Sequence, residues 1–213
     1  MDDWRDLGGI GTQDGRTIRR GALVRARSLD HLLPDDWAAL HALGVRTLID
    51  LRNDDERGEA PAPDDIAAQH LPIDVSDREF VDEWASDWRF GTPVYYGPLL
   101  ARFPQPSVAV LEAIAHAPPG GVLFHCMGGR DRTGMIAMLV LALVGAAPED
   151  IAADYELSAA AHPDSAAVLA GLERASTTAR AELLRTMAAL DLAPFEALRA
   201  ALRARLLERT AAG

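Results

Sequence analysis

The chain of 213 residues is poor in cysteine, in aromatic side chains and in positive charge, and each shortage narrows what it can be. A single cysteine leaves no intramolecular disulfide framework and no resolving thiol. That points to a reducing compartment or to a thiol kept for chemistry. Lys and Arg number 21 against 32 Asp and Glu, giving a formal charge of -11 and a pI near 4.9. Such a surface repels phosphate-rich polymers, so nucleic acid and anionic membrane are excluded as general partners, and a local cationic pocket would be informative. The longest apolar stretch, Met135 to Val144, is too short to span a bilayer, so no integral membrane segment is expected. The N-terminus, Met1-Asp2-Asp3-Trp4-Arg5, is charged and has no apolar h-region of a standard signal peptide. The expected location is the cytoplasm, or outside the cell by a signal-independent route. No Cys/His cluster or HExxH spacing occurs and the six histidines are scattered, so neither a metal nor a cofactor is expected. Nothing in the sequence sets an oligomeric state.

The 49% hydrophobic content is enough to bury a full core, and the length fits one domain over residues 1–213. The pattern alternates as an α/β domain does. Asp14-Gly15 marks a turn before Thr17 to Arg25, which reads as a short hairpin. Pro34 opens a helix carrying Trp37, Leu40 and Leu43, with Gly44 as its stop. Val45 to Arg52 reads as a strand with polar groups at its end, the edge where open α/β sheets bind ligands. Ala67 to Ile73 reads as a second strand, ending near Asp74 and Asp77. Between residues 78 and 103 lie Phe80, Trp84, Trp88, Phe90, Tyr95 and Tyr96. They form either a lid over a site or, more simply, rings packed over the core edge. Ser107 to Ala117 has helical spacing, Pro148 starts another helix, and residues 164–213 read as a helical layer of the same domain. The expected fold is a central, mostly parallel sheet flanked by helices.

The densest chemistry sits after the apolar run Gly121-Val122-Leu123-Phe124, in His125-Cys126-Met127-Gly128-Gly129-Arg130-Asp131-Arg132-Thr133-Gly134. An apolar strand before it and an apolar helix after it place these residues in a strand-to-helix turn. Amides of such a turn form an anion nest, the helix N-terminus adds partial positive charge, and Arg132 can close the ring with a bidentate fork. Cys126 then faces a bound phosphate. A phosphate dianion repels nucleophiles, so the site has to neutralise it while presenting a nucleophile that is itself anionic at neutral pH, and a thiolate meets that requirement.

Cys126, five intervening residues, Arg132 and Thr133 match the C-x5-R-[ST] signature, and the chain resembles the protein tyrosine phosphatase superfamily. Arg5-Asp6-Leu7-Gly8-Gly9, Asp50-Leu51-Arg52 with Glu56 behind it, and Asp154-Tyr155-x-Leu157-Ser158 resemble its bacterial branch, typified by the mycobacterial PtpB tyrosine and dual-specificity phosphatase. The resemblance covers most of residues 5 to 158. It implies Cys126 as nucleophile, Arg132 as phosphate clamp and the amides of Met127, Gly128, Gly129, Arg130, Asp131 and Arg132 as the cradle. Arg130 stands where that branch often has lysine, which keeps the charge and changes the geometry. Thr133 could hydrogen-bond the sulfur as it becomes a leaving group, and His125 and Gly134 would support the loop.

The leaving oxygen needs a proton, so a carboxylic acid should face Cys126. Three aspartates compete. Asp131 matches the branch's pattern, Asp50 ends a strand at the correct edge, and Asp74 follows a proline-bearing strand where related lipid phosphatases place an acid. The implied activity is hydrolysis of phosphate monoesters through a phosphocysteine, on phosphotyrosine in proteins, with dual or phosphoinositide specificity as a further expectation. The substrate would be a phosphorylated protein or a small phosphomonoester. Alternatives are an inositol-polyphosphate phosphatase of the cysteine type, sulfur or arsenate chemistry on a rhodanese-like loop, and a non-catalytic phosphate-binding module.

Overall fold

The computed structural model describes residues 4–58, 62–73, 77–84, 92–159, 181–182, 185–186 and 188–209. Its sheet is built around β6 (Gly121–His125), every residue of which is buried. Parallel partners flank it: β3 (Leu23–Ala26) on one side and β4 (Val45–Asp50) on the other. Beyond β4 lies β5 (Ala67–His70), also parallel, and beyond β3 lies β1 (Trp4–Asp6), antiparallel, giving the order β1-β3-β6-β4-β5. Continuous apolar sequence in β6 follows from burial on both faces, as a central parallel strand requires.

Side-chain alternation assigns each strand residue to one of two cores. Val24, Ala26, Val45, Leu48 and Leu123 pack with Leu40 of helix α1 (Pro34–Leu43) on one face. Leu23, Ile49, Val122 and Phe124 point to the opposite face, against α4 (Pro104–His116) and α5 (Asp131–Val144). α5 is buried along nearly its whole length because it also packs against α6 (Pro148–Ala159) and α7 (Glu196–Leu206). Two shorter helices, α2 (Arg78–Trp84) and α3 (Tyr96–Arg102), lead into α4.

The mostly parallel sheet and its flanking helices are as expected from the sequence, and α1 ends at Gly44 as expected. The hairpin over residues 17–25 is not formed. β2 (Arg16–Ile18) instead pairs antiparallel with β7 (Leu207–Arg209), while β3 joins the central sheet. Thus the C-terminal region is not entirely helical. A buried Leu207 at the end of α7, aligned with Ile18, makes the short strand pay off as core closure, a long-range pairing that local spacing does not encode. No helix among the described residues is long and apolar enough to cross a membrane.

Candidate active site

β6 ends at His125 and α5 begins at Asp131, so residues 126–130 make the turn that the signature required. Cys126 lies at its base with 2% of its surface exposed. What shapes the turn is the fate of its carbonyls. His125 Nδ1 lies 3.3 Å from the Cys126 carbonyl oxygen. The Ser28 amide donates to Met127 O (2.9 Å), an Arg25 Nη2 to Gly129 O (2.8 Å), the Gly134 amide to Arg130 O (2.8 Å) and the Tyr96 hydroxyl to Asp131 O (2.8 Å). No cis peptide bond occurs among the described residues. In a trans peptide the N–H points opposite to the C=O, so each carbonyl held from outside turns the next residue's amide the other way. The amides of Met127, Gly128, Arg130, Asp131 and Arg132 are thereby turned from those partners, as an anion nest needs.

Two glycines make this geometry possible. Gly129 has φ +67°, and a Cβ there would meet the Ala26 carbonyl oxygen at 2.7 Å, so the loop rests directly on the end of β3. A Cβ at Gly134 would lie 3.0 Å from the Tyr155 ring and 3.2 Å from the Tyr96 hydroxyl, which fixes the first turn of α5 against two buried tyrosines. Burial pushes the pKa of both phenols up, so they remain neutral and Tyr96 stays a donor.

The charged rim is fully engaged. Arg132 donates through both terminal nitrogens to Glu56, one bond being 2.6 Å, and the pair is bidentate. The hydrogen bond from Arg132 holds the Glu56 carboxyl below the usual carboxylate range. Arg130 contacts the Asp131 carboxylate through Nε at 3.2 Å. Asp50, at the end of β4, is locked to Arg52 by bonds of 2.9 to 3.2 Å from the guanidinium and 3.0 Å from the backbone amide. Burial opposes its ionisation, yet Arg52 and His125 outweigh it and the carboxyl stays below its ordinary pKa. His125, 1% exposed, has its Nε2 3.7 Å from Asp50, and burial depresses its pKa despite that neighbour. Arg52 also reaches Asp30, and its carbonyl lies 2.7 Å from His70 Nε2.

Residues 1–208 match the tyrosine phosphatase family. The chain belongs to that family. It is similar to a tyrosine-protein phosphatase of Nostoc commune, 34% identical over 146 residues that cover 67% of this chain and 50% of that protein. It is similar also to the triple specificity protein phosphatase PtpB of Mycobacterium tuberculosis, 29% identical over 185 residues covering 72% and 65%. The chain thus spans half to about two thirds of the length of these relatives. Among solved structures, P. aeruginosa TpbA gives a TM-score of 0.34 at 21% identity, covering 88% of this chain and 90% of that one.

Within this tyrosine phosphatase family member the structure brings together Cys126, the loop to Arg132, His125, Asp50 and Glu56, while Asp74, Trp88 and Phe90 lie outside the described residues. The Thr133 hydroxyl, in the first turn of α5, is buried without a hydrogen-bond partner among the described residues. Phe80, Tyr95 and Tyr96 are buried in the core and Trp84 packs against it. These four are packed as the simpler reading expects. Sequence reasoning missed Arg25 and Tyr96, both of which hold the loop. A signal for Arg25 existed, since an arginine inside the apolar run Leu23-Val24-Arg25-Ala26 is a cation that needs a buried partner. Tyr96 gave no such signal, because its spacing fits core packing equally well.

Proposed function

We propose that residues 1–213 form one cysteine-dependent phosphatase domain that hydrolyses phosphate monoesters, with protein phosphotyrosine as its principal substrate class. The observation that carries this reading is the loop whose five carbonyls are engaged, three of them by Ser28, Arg25 and Tyr96 from other elements, while Cys126 lies at the base. A phosphate seated there would accept the inward amides and the Arg132 fork, which neutralise its oxygens before attack. The Cys126 thiolate then attacks phosphorus in line. The S–P bond forms as the P–O bond to the leaving group breaks, and a carboxylic acid supplies the proton to the departing oxygen. Water next attacks the phosphocysteine, losing a proton to the same carboxylate and returning the thiolate and inorganic phosphate.

Of the three aspartates, Asp131 supports the acid role best. It begins α5 beside the cradle and is partly exposed, with its side chain 26% accessible. Asp50 is disfavoured physically: it is buried, accepts from the Arg52 guanidinium and backbone amide at 2.9 to 3.2 Å, and its carboxyl is held ionised, whereas Asp131 meets Arg130 at 3.2 and 3.4 Å. Asp74 stays open as the third candidate. His125 serves as a brace behind the loop and Glu56 orients Arg132. The test is turnover on phosphotyrosine, phosphoserine, phosphoinositide and inositol-phosphate substrates, with Cys126→Ser as control. Preference for phosphotyrosine supports the reading, and turnover of none of them contradicts it. A relative named for triple specificity favours some hydrolysis of substrates beyond phosphotyrosine in the same panel.

A further inference from the structure

Gly128 and Gly129 give the centre of the loop little intrinsic preference for one peptide orientation. A peptide at this point turned by half a revolution would offer the anion a carbonyl in place of an amide. What sets the orientation therefore has to lie outside the loop. For the peptide between Gly129 and Arg130 it is Arg25, whose Nη2 donates 2.8 Å to Gly129 O. Arg25 lies in β3 on the same face as Leu23, 2% exposed, and its other terminal nitrogen is ion-paired with Asp154 of α6. Asp154 is held in turn by Arg5 of β1, through bonds of 2.7 and 3.0 Å to one carboxylate oxygen. Arg5 also reaches Ser158 at 2.9 Å.

We propose that Arg25 is the positioning residue of the phosphate cradle: aimed by Asp154 and Arg5, it pins the Gly129 carbonyl so that the Arg130 amide faces the anion. This rests on the phosphatase reading above and adds to it a determinant of anion affinity that touches no substrate atom. It also gives a physical task to two motif stretches, around Arg5 and around Asp154, that lie far from Cys126 in sequence. A buried arginine could have been a mere strut between β3 and α6, in which case losing it would lower stability and leave anion binding intact.

The experiment separates the two. Tungstate, an inert phosphate mimic, is titrated by calorimetry into the wild type, Arg25→Met and Arg25→Lys, and the same ion is used as a competitive inhibitor of p-nitrophenyl phosphate hydrolysis. A hydrogen bond from a charged donor is worth enough to shift tungstate affinity by roughly tenfold to a hundredfold. Arg25→Met should lose about that much affinity and a comparable factor in kcat/KM. Arg25→Lys, which can reach the carbonyl or Asp154 but not both, should recover part of it. Ile114→Val, a core change remote from the loop, should lower Tm without moving tungstate affinity. Wild-type tungstate affinity in a folded Arg25→Met or Arg25→Lys overturns the proposal. Should Arg25→Met not fold, the lysine variant alone decides. A wild type that binds tungstate but hydrolyses nothing would contradict the phosphatase reading while leaving the calorimetric comparison intact.

Discussion

Replacing Glu56 by glutamine tests how Arg132 is held. The carboxylate receives one N–H from each terminal nitrogen of the guanidinium, which fixes the plane of the fork. In Glu56→Gln one acceptor oxygen survives, and the other position becomes an NH2 donor set against a guanidinium donor. One charge-assisted bond, about 1.5–3 kcal/mol, is replaced by a repulsive contact. Glu56 has a side chain 26% exposed and Arg132 11%, so water screens part of the loss and about 1–2 kcal/mol is the working figure. Most of it should appear in transition-state stabilisation, because a misdirected Arg132 still neutralises charge but no longer matches the equatorial oxygens. The expected outcome is a kcat/KM lower by roughly fivefold to thirtyfold in steady-state hydrolysis of p-nitrophenyl phosphate near pH 6, with Tm changed by only a few degrees. At that pH the wild-type pair is complete, since Arg132 keeps the Glu56 carboxyl below its ordinary range. A variant within twofold of the wild type refutes the orienting argument. So does a gain in affinity for phosphate, which would mean that Glu56 competes with substrate for Arg132.

The three-way choice of acid is decided by pH–rate profiles: Asp131→Asn should lose the basic limb, whereas Asp50→Asn should keep it. Asp50→Asn should instead lower stability by about 2 kcal/mol, less than the usual cost of orphaning a buried charge because Asp30 still pairs with Arg52, and calorimetry should show Tm falling by roughly 4–8 °C. Tyr96→Phe removes the donor to Asp131 O without opening a cavity, so chemical denaturation should report a loss of about 1 kcal/mol. His125 has its pKa depressed chiefly by burial. The unfolded chain therefore takes up its proton first, and the contribution of His125 to stability is complete above the unfolded value near 6.5 and declines as pH falls below it. Tm measured between about pH 5 and 7.5 should fall toward acid, and the slope should flatten in His125→Asn.

The central unit could be read from the sequence because its determinants are local. An apolar strand, a glycine-bearing turn and an apolar helix specify one another within residues 121–144, and Cys126 with Arg132 needs no distant information. α1 was legible for the same reason, through Pro34 and Gly44. The parts that escaped depend on contacts across the chain. The turn at Asp14-Gly15 does close a local antiparallel pairing of residues 9–12 with β2, but the other edge of β2 pairs with β7, about 190 residues away, and not with residues up to Arg25. Arg25 and Tyr96 are ordinary strand and helix residues until the fold brings them behind the loop. The aspartates were ambiguous because Asp50 and Asp131 differ in burial and in which arginine donates to their oxygens, and Arg52, next but one to Asp50 in the sequence, looked like a motif residue rather than its lock. Arg130 in place of lysine also takes on a different meaning at the scale of the chain. All 21 basic residues are arginine and none is lysine, so the change at this rim is part of a general replacement and is weak support for a private substrate preference.

The most direct test is whether phosphate passes through sulfur. Wild-type protein mixed with a 32P-labelled phosphotyrosine peptide and quenched in denaturant within the first turnover should carry label on Cys126, stable in alkali and released by iodine as expected of a phosphorus–sulfur bond, and Cys126→Ser should carry none and release no phosphate. Full phosphate release by Cys126→Ser would contradict the account.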